Sequence, residues 1–235
     1  MIVAMLRVKD EARWIADVLN ALKPVCERIF VMDDHSADGT AQICRELGAT
    51  VYDSPFGGFD EARDKDWLLR KIEESVPFGS WVLCIDGDEV LHPDDVEVTK
   101  RLAQCASDAY RFRILYLWDN RETVRVDGVY GRFSRPSMFR LRPNMTFRRT
   151  AANGNLHCSS VPAECVGRAE YAGVRLLHLG YMDRSDRLRK YDWYTKRDPG
   201  NQAEDGYRHM VVGDIFPADS VFRYGGPLKL EAINA

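Results

Sequence analysis

The residues best suited to chemistry in this sequence are carboxylates that stand in close pairs directly after apolar segments. Asp86 and Asp88 flank Gly87 and follow the apolar run at 81–85. Two carboxylates one residue apart project to the same side at a strand end, and the glycine permits close approach of a ligand. Such a pair holds a hard divalent cation, which in turn binds phosphate oxygens. The alternative is a solvated acidic turn, or caps for a helix near Pro93, but the preceding apolar strand favours the metal site.

A second acidic cluster, Asp33-Asp34, follows the apolar run at 29–32 in the same way. Continuous apolar strands that alternate with amphipathic helices predict an α/β fold with a mostly parallel central sheet covered by helices on both faces. Ligands bind such sheets at the carboxyl ends of the strands. We therefore expect both acidic clusters to open onto the same edge of the sheet.

The elements that must position these carboxylates follow from the spacing of apolar residues. Strands are expected at 2–8, 29–32, 50–52 and 81–85. Helices are expected behind a cap at Asp10, through Ile43 and Leu47, over 59–76 and from Pro93. After about residue 106 the pattern changes to short antiparallel strands and loops, with strands at 110–118 and 173–179, a helix from Asp183 to Asp198-Pro199, and a loop or tail from about 213.

The stretch from 107 to 150 is rich in arginine and aromatic residues. One interpretation is a groove for an anionic glycan or nucleic acid, in which aromatic rings stack on sugars or bases. The other, which we favour, is that the arginines pair with the acidic half of the chain. The ten arginines are at 111, 113, 121, 125, 132, 135, 140, 142, 148 and 149.

Three other chemistries that use acidic clusters do not match. A haloacid dehalogenase phosphatase needs D-x-D-x-T after its first strand, whereas this motif follows the fourth strand and has Val90 in place of threonine. A sugar nucleotidyltransferase needs a glycine-rich loop after the first strand, and residues 7–11 contain no glycine. A dinucleotide dehydrogenase needs G-x-G-x-x-G at that place, which is absent.

Composition narrows the class of protein. The 235 residues carry a net charge of −3 with 45% hydrophobic residues, which disfavours a basic nucleic-acid coat and a polybasic membrane binder. No apolar run reaches the roughly 18 residues of a membrane-spanning helix, and the first seven residues do not read as a signal peptide. Six cysteines without C-x-x-C pairs predict reduced thiols. The expected location is therefore the cytoplasm.

Three motifs, in order, resemble glycosyltransferase family 2, whose fold is of the GT-A type (Rossmann-like). They lie at 3–11, 29–40 and 85–89, so that the resemblance covers most of residues 1–106. It extends more weakly through 178–181 and the helix that follows. The resemblance implies a single GT-A domain over 1–235, with a nucleotide-sugar-binding half at 1–106, an acceptor and metal-completing half at 107–212 and a C-terminal loop or tail at 213–235.

The resemblance also implies roles for individual residues. The loop after the first strand would contact the nucleotide, Asp34 would hydrogen-bond the base, which we expect to be uracil, and Asp86 would lie near the ribose and the metal. Asp88 and His178 would complete the shell of Mn²⁺ or Mg²⁺. A cation such as Arg187 or Lys190 would stabilise the leaving diphosphate, although a core histidine at 178 and a solvated basic helix face remain alternatives. The complete set of expected nucleotide-sugar contacts is Leu6, Val8, Asp10, Glu11, Asp34, Asp86, Arg187, Lys190 and Tyr191.

Transfer with inversion also needs a general base for the acceptor hydroxyl. Family members place an acid after the middle segment, where this chain has 154–158 with Cys158 instead of glutamate. His157 is the first candidate for the base, followed by Glu164 and Asp127. The expected function is metal-dependent transfer from a nucleotide-diphosphate sugar, a UDP-sugar in the first instance, to an acceptor hydroxyl, most simply of a saccharide. The alternatives are a non-catalytic module that binds glycan or nucleic acid, and a nucleotidyl or phosphoryl transferase.

Overall fold

The computed structural model describes residues 1–149, 157–198 and 205–233. The chain divides into two compact units, each built from two separate segments. The first unit contains residues 1–112 and 135–175, and the second contains 113–134 and 176–235.

The bounds of the helices and strands are as follows. The strands are β1 (Ile2–Val8), β2 (Arg28–Asp33), β3 (Thr50–Asp53), β4 (Trp81–Cys84), β5 (Glu89–Leu91), β6 (Ala109–Trp118), β7 (Asn120–Arg125), β8 (Ser134–Arg140), β9 (Glu170–His178) and β10 (Leu230–Ala232). The helices are α1 (Ile15–Leu22), α2 (Thr40–Glu46), α3 (Glu61–Glu73), α4 (Val96–Leu102), α5 (Ala163–Val166) and α6 (Arg184–Arg197), with short 3-10 turns at Pro93–Asp95 and Arg208–Val211.

The first unit is built on a parallel sheet with the strand order β4-β1-β2-β3. The register places Met5 beside Cys84 and Val8 beside Asp33, so that the carboxyl ends of these strands meet at one edge. Strand β8 adds to β4 in the antiparallel direction. The α/β fold with a central parallel sheet, predicted from the sequence, is confirmed.

Helix α3 covers one face of this sheet because its apolar residues recur at helical spacing. Ala62, Leu69 and Ile72 are buried with Met5 and other residues of the strands in one hydrophobic cluster. Strand β8 and the segment after it add further buried residues to the same cluster, namely Phe139, Leu141, Met145, Phe147, Val161 and Cys165. The first unit therefore needs both of its chain segments to complete its core.

The second unit contains a small antiparallel group of strands, as predicted for the C-terminal half. Leu117 of β6 pairs with Val124 of β7, and β10 pairs with the other edge of β7. The prediction of a plain loop or tail from residue 213 was wrong in this respect, because 230–232 form a strand. The composition of that short, polar strand gives no periodic signal, and only pairing with β7 defines it.

The start of α1 also differs from the prediction. Asp10 does not cap the helix, which begins only at Ile15. Instead, Asp10 has a left-handed backbone (φ 53°), and its carboxylate accepts a hydrogen bond from the backbone N–H of Ala37 at 2.8 Å. Its own N–H donates to Ser36 Oγ at 2.9 Å. Asp10 therefore ties the loop after β1 to the loop after β2.

Two further expectations concern the environment of the chain. None of the helices in the described part of the chain combines the length and the apolar character needed to cross a membrane. The six cysteines are all free thiols, and Cys105 is the exposed member of the set. Reduced thiols were predicted from the spacing of the cysteines.

Candidate functional site

The carboxyl ends of β1, β2 and β4 gather charged side chains on the face of the sheet that α3 covers. Met5, Met32 and Cys84 pack in the core beneath α3. Side chains two positions apart share a face, so the alternation directs Arg7, Asp34 and Asp86 toward the same side. Both acidic clusters predicted from the sequence therefore belong to one edge of the first unit.

Asp86 is held by an arginine from the neighbouring antiparallel strand. Arg135 of β8 donates from Nη1 to Asp86 Oδ2 at 2.8 Å and from Nη2 to Glu89 Oε2. The same Glu89 oxygen accepts the backbone N–H of Asp86 at 3.1 Å. Glu89 is fully buried, whereas 46% of the Asp86 side chain remains exposed. Arg135 thus fixes the carboxylate of Asp86 and leaves it accessible to a ligand.

The pKa values of Asp86 and Glu89 are shifted in opposite directions. The surrounding protein atoms on their own would raise the pKa of Asp86, but the charges of Arg135 and Lys65 outweigh them and lower it. Burial raises the pKa of Glu89 to about 7, and the Arg135 guanidinium offsets only part of that effect. The protonation equilibrium of Asp86 is therefore shifted toward the anion and that of Glu89 toward the protonated acid.

Gly87 has a packing role between the two carboxylates. A Cβ at this position would lie 2.9 Å from Glu11 Cγ and 3.1 Å from Val8 Cγ1. The expectation that the glycine makes room for a ligand is therefore corrected, because side chains of the β1–α1 loop fill the space. The glycine lets the loop after β1 and the loop after β4 approach each other.

The end of β2 is tied to the end of β1 by charge. Arg7 donates from Nη2 to Asp34 Oδ2 at 2.5 Å and from Nε to Asp64 Oδ2 at 2.9 Å, and its guanidinium lies over the ring of Phe59. Lys9 Nζ donates to the backbone oxygen of Asp34 at 2.7 Å. Asp34 itself is only 4% exposed. One oxygen of its carboxylate is therefore already engaged by Arg7.

Lys65 brings a second cation close to Asp86. It is buried on α3, and its Nζ lies 2.5 Å from Glu61 Oε1 one turn earlier. Burial on its own would lower the pKa of Lys65, but the carboxylate of Glu61 and, more weakly, that of Asp86 raise it. The ammonium group is therefore charged at neutral pH.

A small pocket opens where these groups meet. Its walls combine the apolar floor of the sheet with the charged side chains above it. The lining residues are Met5, Arg7, Lys65, Cys84, Ile85, Asp86 and Ser160.

The carboxylates at this edge fit a divalent cation only in part. Among the described residues, no group of three or more His, Cys, Asp or Glu side chains is arranged to hold a metal ion. However, Mg²⁺ in phosphate-binding sites is typically held by one or two carboxylates together with oxygens of the substrate. The accessible Asp86 fits that role, whereas Asp88 is only 4% exposed. His178 lies in the second unit, and its role as a ligand stays a prediction.

The residues expected to contact the nucleotide divide into accessible and buried ones. Asp10 is exposed and Glu11 is partly exposed at the same edge. Leu6 and Val8 are fully buried in the sheet, so that their backbone alone is available to a nucleotide. Hydrophobicity, the signal that placed them on a strand, is also the reason that their side chains point into the core.

The candidates for the general base lie in different surroundings. His157 and Cys158 are partly exposed, but 154–156 of the same predicted stretch lie outside the described residues. Burial raises the pKa of the Cys158 thiol to about 12, so that it stays neutral and does not replace a carboxylate base. Glu164 accepts a hydrogen bond from the backbone N–H of Thr146 at 3.2 Å.

Asp127 has contacts that indicate a structural role. Its two oxygens accept from Arg125 Nε and Nη2 at 2.8 and 2.9 Å. They also accept the backbone N–H groups of Gly226 and Lys229 at 2.5 and 3.1 Å. These contacts fix the C-terminal segment within the second unit, and burial, which would raise the pKa of Asp127, is outweighed by Arg125, so that the pKa is lowered.

Arg187 likewise supports the second unit. It is 2% exposed and donates to both carboxylate oxygens of Asp214 at 2.6 and 2.9 Å and to Asp119 at 3.0 Å. These contacts leave Arg187 little capacity for a ligand.

The other residues expected at the site from this part of the chain lie near aromatic rings. Lys190 and Tyr191 are on the same helix as Arg187, and Lys190 Nζ is 5.2 Å from the ring centre of Tyr181. His178 lies in an aromatic cluster, with Tyr116 and Tyr181 at ring-centre distances of 5.1 and 4.7 Å.

The favoured pairing of the 107–150 arginines with the acidic half of the chain is found for two of them, since Arg135 pairs with Asp86 and Arg149 with Asp60. Arg125 and Arg142 instead pair with Asp127 and Asp108 of the same stretch. Arg113 and Arg140 donate to backbone oxygens.

Sequence reasoning did not single out Arg135 and Lys65. Arg135 was one arginine among ten, and only the pairing of β8 with β4 brings it to Asp86. For Lys65 a signal was present, because it occupies the i+3 place in the apolar series Ala62, Leu69, Ile72. A lysine on the apolar face of a helix is almost always paired or functional.

The family model and a curated relative both indicate a glycosyltransferase. A family model described as "Glycosyl transferase family 2" matches residues 8–162. An uncharacterized glycosyltransferase of Rickettsia felis is 28% identical over 136 residues, which covers 56% of this chain and 46% of that protein. An uncharacterized protein of Mycobacterium tuberculosis is 28% identical over 214 residues, which covers 84% of this chain and 51% of that protein. The chain spans about half the length of these relatives.

Solved structures with a similar arrangement were also found. The Staphylococcus aureus protein TarS (1–349) is 13% identical, with a TM-score of 0.48, and the match covers 89% of this chain and 71% of that chain. Glucosyl-3-phosphoglycerate synthase from Mycobacterium tuberculosis, solved with Mn²⁺, UDP-glucose and phosphoglyceric acid, is 20% identical with a TM-score of 0.38, and the match covers 49% of this chain and 44% of that chain.

Proposed function

This chain belongs to glycosyltransferase family 2, and from that premise we propose that it transfers a sugar from a nucleoside diphosphate, UDP in the first instance, to an acceptor hydroxyl with the help of a divalent cation. The observation that carries the proposal is the state of Asp86. Its carboxylate is accessible just after a central strand and is oriented by Arg135, whose charge lowers the pKa of Asp86.

Different residues around Asp86 would bind different parts of the donor. Asp10 and Glu11 lie at the edge where the base would enter, and the Arg7–Asp34 pair lies behind them. Asp86 would hold Mn²⁺ or Mg²⁺ together with oxygens of the donor diphosphate, with Asp88 as a further ligand expected from the family. When bound, the cation would offset the negative charge that grows on the departing diphosphate.

The acceptor half of the reaction rests on the family resemblance. His157 is the proposed base, because the neutral thiol of Cys158 cannot take the proton of the acceptor hydroxyl. Glu164, the second candidate, is bound to Thr146. We propose a saccharide as the acceptor and inversion as the outcome at the anomeric carbon.

Calorimetry tests the donor and the metal together. UDP should bind in the presence of Mn²⁺, and chelation with EDTA should weaken that binding. Asp86→Asn and Asp88→Ala should each weaken Mn²⁺-dependent UDP binding by at least about tenfold, since even outer partners of a metal site contribute that much. Asp53→Asn is the matched control, because Asp53 ends the neighbouring strand β3 and forms only an exposed pair with Arg45.

The alternatives give different results in the same assays. UDP binding that EDTA and Asp86→Asn leave unchanged would contradict a metal held at Asp86. Binding of glycan or oligonucleotide that is insensitive to EDTA, without hydrolysis of any nucleotide sugar, would instead support a non-catalytic module.

A further inference from the structure

A leaving diphosphate requires cationic groups, and the structure changes which side chains can supply them. The sequence suggested Arg187, but its guanidinium is buried among Asp214, Asp119 and two backbone oxygens of the second unit. Within the first unit, Arg7 is bound between Asp34 and Asp64. Arg7 and Lys65 both line the pocket beside Asp86, and Lys65 extends to it from the helix that covers the sheet.

The position of Lys65 is unusual for a lysine. It is 6% exposed and stands in the apolar series of α3, where a leucine or methionine would complete the hydrophobic cluster. Replacing a buried ion pair by apolar residues of similar size is often neutral or stabilising. Hydrophobic packing alone therefore does not require a charged side chain at position 65.

Glu61 does not use all the N–H donors of the Lys65 ammonium group. Glu61 Oε1 lies 2.5 Å from Nζ, and its other oxygen accepts the backbone N–H of Cys158 at 2.8 Å. An ammonium group has three N–H donors, of which Glu61 uses one and the Cys158 side chain a second, so that one is left. Lys65 lines a small cavity together with Asp86, Arg7 and Ser160, so that its ammonium group borders the same cavity as the carboxylate of Asp86.

We propose that Lys65 is a catalytic residue that donates hydrogen bonds to the diphosphate of the nucleotide sugar, a role that rests on the proposed function. In the transfer, the acceptor oxygen forms a bond to the anomeric carbon as the bond from that carbon to the β-phosphate oxygen breaks. The electron pair of the broken bond stays on the diphosphate, and the proton of the acceptor hydroxyl passes to the base. Lys65 keeps its proton and stabilises the charge that the diphosphate gains.

Comparison of UDP with uridine isolates this contact, because only UDP carries the diphosphate. In the double variant Glu61→Gln/Lys65→Gln, no buried carboxylate is left without its cation. Its affinity for UDP, measured by calorimetry with Mn²⁺, should fall by about ten- to a hundredfold, as expected for a charge-assisted hydrogen bond. Its affinity for uridine should stay unchanged, and Lys65→Arg should retain most of the UDP affinity.

One control separates the charge at position 65 from the loss of any lysine on this helix. Lys71→Gln removes a lysine of the same helix that pairs with exposed Glu74, and it should change neither ligand. Thermal unfolding of each variant checks that the first unit is intact.

The result decides between the inference and the proposed function. If the wild-type protein binds UDP and the double variant binds it equally well, Lys65 has no contact with the diphosphate and the inference is overturned. Equal losses for UDP and uridine would also overturn it, because they indicate a structural role. If the wild-type protein binds no UDP, the proposed donor is wrong and the role of Lys65 falls with it.

Discussion

At the scale of single residues, the chemistry depends on how each carboxylate is paired. Asp86 keeps an accessible carboxylate because Arg135 fixes only one of its oxygens, while buried Glu89 takes the other arm of the guanidinium. Asp127, in contrast, has both oxygens engaged. The two residues have the same side chain, and only the neighbours that each one meets distinguish a ligand site from a structural anchor.

The candidates for the base give a prediction at this scale. His157→Ala should abolish sugar transfer while UDP binding and the thermal stability stay unchanged. Asp127→Asn should instead lower the free energy of unfolding by about 3 kcal/mol, because it leaves the buried Arg125 without its counter-charge. Urea denaturation and UDP calorimetry on the two variants check the contrast.

The opposite pattern would reassign the base. A stable Asp127→Asn variant that binds UDP but does not transfer sugar would place the base at Asp127. Unchanged turnover of His157→Ala would remove His157 from the role.

At the scale of elements, the site is positioned by α3 and by loops that contact one another. The loop after β1 is tied to the loop after β2 through Asp10 and Glu11, which bond Ser36, Ala37 and Thr40. It meets the loop after β4 at Gly87. The Asp86 loop and the expected nucleotide loop therefore cannot move independently.

Gly87→Ala tests the contact between these loops. The added methyl group would meet Glu11 Cγ and Val8 Cγ1, and overpacking of this kind costs roughly 1–3 kcal/mol. We expect a lower midpoint of urea denaturation and weaker UDP binding than in the wild-type protein. The double variant Glu11→Ala/Gly87→Ala, which removes the nearest clashing atom, should recover stability.

A second glycine, Gly57, provides the control for this prediction. Gly57→Ala adds a methyl group where no atom lies within 4 Å, and it should leave the stability nearly unchanged. A Gly87→Ala variant as stable as the wild-type protein would show that the two loops are not coupled through packing.

At the scale of the whole molecule, each unit is assembled from two separate chain segments. The sequence suggested that residues 1–106 form a nucleotide-binding half, but the core of the first unit also contains residues of 135–175. Phe139 and Phe147 are among the buried residues that this second segment supplies. Burial of a large apolar side chain contributes about 1.5–3 kcal/mol, so that five such residues equal the total stability of a typical domain.

A fragment experiment follows from this composition. The fragment 1–112 should not fold and should not bind UDP. Residues 1–112 joined by a short glycine-serine linker to 135–175 should fold cooperatively, because that chain holds the buried residues that the structure describes in the first unit. Circular dichroism during thermal unfolding distinguishes the two, and a cooperative transition in the fragment 1–112 would refute the argument.

The sequence by itself determined the parallel strands, their order of appearance and the acidic clusters at their ends. These features are local, because apolar periodicity and the residue types that follow each strand are visible within short segments. The sequence also contained the three motifs that place the chain in its family, which the match over 8–162 confirms.

The tertiary structure decided which charged groups share the site and which are structural. Arg135 and Asp86 are 49 residues apart, and Arg125 and His209 are 84 apart, so that no local pattern relates them. The pairing of β8 with β4 brings Arg135 to Asp86, and the packing of α3 brings Lys65 into the pocket. Ion pairing depends on distances of a few ångströms between remote segments, and only folding sets those distances.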